Sequence, residues 1–200
     1  MPASPRTASR GRRARTAMLA CLLLAACDAG DRSGTLPAAA SVDWRATTYE
    51  LTCDGVVPGG FRARVVDGEA RVPADGSRPP FYEHYEVRVV ATAEGDVDGD
   101  DGGDTAVLLE CSPQPSNGIL QEVVVRAGTG RPLGALPSPR TLQGSAPLPP
   151  RYDSLSIEDG EIVAAMSAYA ASDSHASGPS QPFTVRWRLG PQGFVRVLPS

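Results

Sequence analysis

The chain contains no lysine; all 19 of its basic residues are arginine. It has two histidines, His84 and His175, four cysteines and 6% aromatic residues. These shortages exclude several chemistries. There is no P-loop, no G-x-G-x-x-G after a strand, and no zinc-type cysteine or histidine spacing. The G-x-S-x-G elbow of a serine hydrolase is missing too. No apolar run reaches the roughly 20 residues that a membrane-spanning helix needs. Charge is also lopsided. Arg6, Arg10, Arg12, Arg13 and Arg15 fall before residue 27, where there is no acid, so the remainder carries 14 − 23 = −9. An acidic body repels a phosphate backbone, which argues against nucleic acid as a partner.

What the amino terminus does contain is an address. A basic stretch runs from Met1 to Thr16, followed by the short apolar run Ala17 to Ala26. Basic n-region, apolar h-region and small exit residues are the pattern of a secretory signal peptide. The exit, Leu24-Ala25-Ala26-Cys27, resembles a bacterial lipobox, in which the cysteine thiol takes a diacylglyceryl group and becomes the new amino terminus. Cys21 lies too early in the apolar run for that role. An uncleaved signal anchor is the alternative. The lipobox reading assigns 1–26 to a lipoprotein signal peptide and 27–42 to the lipidated Cys27 with a small, polar tether. It leaves 43–200 as an extracytoplasmic domain. Each buried methylene contributes about 0.8 kcal/mol, so paired acyl chains would hold the protein at the cell membrane, on its outer face. The expected partners are therefore the membrane, through the anchor, and an envelope protein or ligand.

Two cysteines remain, Cys53 and Cys111. An even count in an exported chain reads as a disulfide. Two buried free thiols, or part of a metal site, are the alternatives.

The body reads as mainly β, with antiparallel hairpins in one compact domain. Asp-Gly pairs between β-branched or alternating runs are hairpin signals. Asp67-Gly68 divides Phe61–Val66 from Glu69–Val72, and Asp159-Gly160 divides Ser154–Ile157 from Ile162–Met166. Gly190 to Gly193 divides Thr184–Leu189 from Phe194–Leu198, with Val185, Trp187 and Leu189, then Phe194, Val195 and Val197, forming an apolar face. Further strands are expected over 85–91, 105–110 and 122–126. Residues 161–171 also fit a helical stripe, but the turn before them favours a strand. The proline- and glycine-rich stretch 128–150 reads as a connection between two sheet-forming halves, 43–127 and 151–200.

One loop carries site chemistry. Residues 95 to 107 read Gly-Asp-Val-Asp-Gly-Asp-Asp-Gly-Gly-Asp-Thr-Ala-Val. Asp96, Asp98, Asp100 and Asp104 stand at positions 1, 3, 5 and 9 of a cation loop, with the Gly102 carbonyl at position 7. Ca²⁺ takes six to eight oxygens, and alternate aspartates on a tight loop can converge on one point. The other reading is an acidic, solvated turn that binds no ion. The stretch resembles the D-x-[DN]-G-D-G-x-x-D signature of FG-GAP and VCBS-type calcium repeats. That resemblance implies a loop between two strands holding a structural Ca²⁺. It departs from the signature in having Asp101 where a glycine usually stands, and it occurs once. The whole arrangement is similar to the small secreted lipoproteins of high-GC Gram-positive bacteria, with Cys27, Cys53, the aspartate loop and the closing Arg186-Trp187-Arg188 hairpin.

No catalytic residue is assigned. Ser172-Asp173-Ser174-His175 has the residue types of a triad, but neighbours in one loop do not make its geometry unaided. His84 stands among aromatics and reads as a surface or strand residue. Trp44 could floor a ligand site, whereas Trp187 reads as core. The expectation is a non-catalytic binding or structural module at the envelope. An envelope hydrolase and a lipid or glycolipid carrier are the alternatives.

Overall fold

Strand β5 (Asp104–Gln114) organises the molecule because it is apolar on both faces. Ala106 and Leu108 face one way, Val107 and Leu109 the other, and none is more than 1% exposed. Such a strand needs a layer packed on each side. The computed structural model describes residues 42–76, 81–116 and 118–198, and supplies both layers.

β5 is the centre of a five-stranded antiparallel sheet, completed by β3 (Glu69–Pro73), β4 (His84–Gly95), β6 (Leu120–Arg126) and β7 (Pro132–Ala135) in the order β3-β4-β5-β6-β7. A second sheet contains β8 (Arg151–Glu158), β9 (Glu161–Ala168), β10 (Gln181–Gly190) and β11 (Gly193–Val197), ordered β11-β10-β9-β8. Between these two lie Leu108, Val123 and Val125 on one side and Ile162, Met166, Val185 and Trp187 on the other. On the far face of the large sheet sits a two-stranded layer, β1 (Thr48–Leu51) and β2 (Phe61–Arg64). There Val87, Val89, Val107 and Leu109 meet Trp44, Tyr49, Leu51, Ala63 and Val65. Burying a Leu, Ile or Met side chain contributes about 1.5–3 kcal/mol, so both interfaces are substantial. No α-helix occurs among the described residues, only short 3-10 turns at Trp44–Ala46 and Pro139–Leu142.

β4 serves both interfaces by changing face. A bulge between Val89 and Ala91 inserts Val90, which is exposed. Before it, Val87 and Val89 turn to the small layer; after it, Ala91 packs on the side of the second sheet. A single inserted residue reverses the side-chain alternation of everything beyond it.

The hairpin expectations mostly hold. Asp159 and Gly160 take φ of 52° and 76°, and Glu158 pairs with Glu161, giving the primed turn that suits strand twist. Ile162, Ala164 and Met166 are all fully buried, a period of two that makes 161–168 a strand. β10 and β11 pair from Arg186–Val197 to Gly190–Gly193. Two expectations are corrected. Asp67-Gly68 turns tightly, but only one bridge, Val66 to Glu69, closes it. β2 then pairs with β1 and β3 with β4, because Ala63 and Val65 are needed in the outer layer. Val195 is 56% exposed rather than on the apolar face. With Phe194 turned into the core, strand alternation sends its neighbour outward.

The stretch 128–150 contains β7, which pairs with β6 at the edge of the large sheet. Its Pro132 and Gly134 hid a strand that tertiary pairing creates. Residues 1–41, which include the expected signal peptide 1–26, Cys27 and most of the expected tether, lie outside the described residues.

Cys53 and Cys111 form a disulfide, with Cα atoms 5.4 Å apart, tying the end of β1 to β5 across 58 residues. Closing a loop of that length contributes about 4 kcal/mol in the chain-entropy view. Tyr49, fully buried beside it, donates its hydroxyl to the Trp44 carbonyl at 2.5 Å. Burial pushes its phenol up to about 12, against a partial pull from Arg126, whose guanidinium lies over the ring.

Candidate metal site

Residues 96–103 connect β4 to β5, and the pairing of Gly95 with Asp104 closes the loop at its base. Asp96 folds the loop on itself: its Oδ1 accepts the Gly99 N–H at 2.7 Å and its Oδ2 the Asp101 N–H at 3.2 Å. Aspartates in turns bond their own backbone in this way. Asp101 takes φ of 60°, the left-handed conformation that its short polar side chain tolerates. Val97 plugs the loop into the interior between the large sheets.

Two close backbone approaches hold the loop in place. A Cβ on Gly95 would lie 2.5 Å from the Ile157 side chain, and one on Gly128 would lie 2.4 Å from the Gly103 carbonyl oxygen. The loop is therefore clamped between β8 and the turn that follows β6.

Inside this frame, carboxylate oxygens of Asp96, Asp98 and Asp104 all lie within 4.8 Å of one another. Asp104 is 1% exposed. Its Oδ2 accepts N–H bonds from Val97 at 2.7 Å and Asp98 at 3.2 Å. Its Oδ1 has no hydrogen-bond partner, and neither does Asp98 Oδ1, though both atoms are buried. A buried, unpartnered carboxylate oxygen is costly, more so beside like charges. Burial pushes the Asp104 carboxyl up, and the charges of Asp98 and Asp100 add to this, while the Val97 and Asp98 N–H donors work against it. One cation is already present: Arg131 Nη2 lies 3.1 Å from Asp98 Oδ2. The cluster can hold a metal ion. Three carboxylates, two of them with a buried oxygen that has no hydrogen-bond partner, match the oxygen preference of hard cations.

The close trio does not include Asp100 or Gly102. Asp100 turns its Oδ1 to the Gly102 N–H at 2.7 Å, and both residues are exposed. Arg131 carried no sequence signal, since only the fold brings the turn after β6 against the loop.

His84 sits between Arg71 and Glu86, its ring nitrogens at 3.2 and 3.3 Å from their side chains. In 172–175, Asp173 is committed to its own loop: Oδ2 accepts from the Ala170 N–H and from Ser180 N–H and Oγ. Those donors hold its carboxyl below the usual carboxylate range. Trp187 is 3% exposed, in the core as expected, and Trp44 is also buried.

No protein-family model, no curated protein and no solved structure matches this chain.

Proposed function

We propose that this protein is a lipid-anchored, extracytoplasmic β-domain that acts as a non-catalytic binding or structural module at the cell envelope, with a structural Ca²⁺ held by the 96–104 loop. The observation that carries the metal assignment is the pair of buried oxygens, Asp98 Oδ1 and Asp104 Oδ1, without partners. A cation seated between Asp96, Asp98 and Asp104 neutralises them and completes its six to eight ligands with waters and carbonyls. With Arg131 competing for Asp98, the affinity belongs in the weak extracellular class, about 10⁻⁴–10⁻³ M. Export to an oxidising compartment agrees with the Cys53–Cys111 bond. The space between the sheets is taken up by Leu108, Met166 and Trp187, which favours a binding module over a lipid carrier.

Calorimetry with Ca²⁺ on wild type and Asp98→Ala tests the metal. Saturable heat in wild type only is expected, and identical traces at millimolar Ca²⁺ remove the site. For the anchor, Cys27→Ala should release the protein into the medium. An unacylated wild-type chain beginning at Met1 in an intact mass spectrum would overturn that half.

A further inference from the structure

A second site lies at the opposite end of β5 from the aspartate loop, beside the disulfide. A cavity of about 190 Å³ opens there between the proline-rich stretch, the β9–β10 loop and β6. Leu148, Pro149 and Pro150 make its apolar wall, and Arg140, Arg151 and His175 stand around it. Its one carboxylate, Asp54, is taken: Arg140 Nε donates to Asp54 Oδ2 at 2.8 Å, and Ser138 Oγ donates to Oδ1. Arg151 is loosely held, 3.4 Å from Glu110, which Arg88 binds more closely at 2.6 Å. Local charge is thus positive in a body that carries −9 overall. The backbone beneath is strained, with Cys53 and Asp54 both at φ 53°, non-glycine residues in the left-handed region. Such strain gathers at binding sites, where the surrounding structure pays for it. Small ligand sites are apolar clefts with a few convergent polar groups, commonly built from loops on a rigid sheet.

We infer that this cavity binds a small organic anion, a carboxylate on a compact apolar body, with the carboxylate on Arg151 and the body against Leu148 and Pro149. Arg140 keeps its link to Asp54 and frames the site. His175, exposed in the β9–β10 loop, stands at its edge. The inference is independent of the metal assignment, since the two sites share no residue.

Titration of the full chain with benzoate, benzyl alcohol and inorganic phosphate, followed by NMR, tests it. Saturable benzoate binding is expected, with the alcohol and phosphate each about tenfold weaker, the size of one charge-assisted contact. Arg151→Gln should weaken benzoate about tenfold at an unchanged melting temperature. If Arg151→Gln fails to fold, Leu148→Trp, which fills the cavity without altering charge, decides by abolishing binding. Equal affinity for benzoate and benzyl alcohol overturns the charge assignment. Phosphate binding as well as benzoate overturns the apolar one. Undiminished benzoate binding in the folded variant overturns the site.

Discussion

The two ends of β5 solve the same problem in opposite ways. Each end gathers carboxylates near a sharply turned backbone. At the Cys111 end Glu122 and Asp54 are both answered. Glu122 accepts from the Thr52 and Cys53 N–H groups and from Thr52 Oγ1, and Asp54 is held by Arg140 and Ser138. A covalent bond then locks the turn to the strand. At the Asp104 end two buried carboxylate oxygens remain without a partner. Satisfied charge reads as architecture; leftover charge reads as a place for an ion.

The contrast can be broken by experiment. The largest effect should come from the covalent end. Replacing both Cys53 and Cys111 by Ala should cost about 4 kcal/mol in chemical denaturation. A loss below about 1 kcal/mol would mean that the outer layer is held by packing alone. Next comes the metal. With Kd near 1 mM, 10 mM Ca²⁺ should add about 1.4 kcal/mol and raise the melting temperature by roughly 3–5 °C. Asp104→Asn should erase that gain.

Glu122→Gln should cost about 1–2 kcal/mol, because a neutral amide accepts fewer bonds from Thr52 and Cys53. Equal stability at the covalent end would show that the disulfide needs no help from that carboxylate.

The pH dependence has a definite sign. The folded carboxyl of Asp104 titrates above its unfolded value, so ionising it works against the fold. Without metal, wild type should lose stability relative to Asp104→Asn as pH rises from the ordinary carboxylate range through that raised value. Melting both proteins in chelator between pH 4 and 7 measures the difference. A difference that grows in the opposite direction would show Asp104 to be stabilised as an anion by its N–H donors alone. The smallest effect belongs to neither end: Val195→Thr, on the exposed face of β11, should stay within about 0.5 kcal/mol.

Much of this molecule is legible in order along the chain. The Asp159-Gly160 hairpin, the strand nature of 161–168, the pairing of two remaining cysteines and the aspartate spacing are local facts, governed by turn chemistry and side-chain period. β7 was not legible, because Pro-Leu-Gly-Ala has no strand pattern and exists as one only by pairing with β6. The parting of β2 from β3 after Asp67-Gly68 was equally hidden, since a turn specifies its own dihedrals but not which sheet its arms join.

By itself, the order of residues determined the β class, the disulfide and the crowding of carboxylates at 96–104, because each follows from neighbours within a few positions or from a count. Only the tertiary structure decided which oxygens of that crowd were left without donors, that Arg131 would stand among them, and that Arg140, Arg151 and His175 would meet around one cavity. Those outcomes depend on residues tens of positions apart being pressed together as the three layers close, and no local period or propensity encodes that meeting.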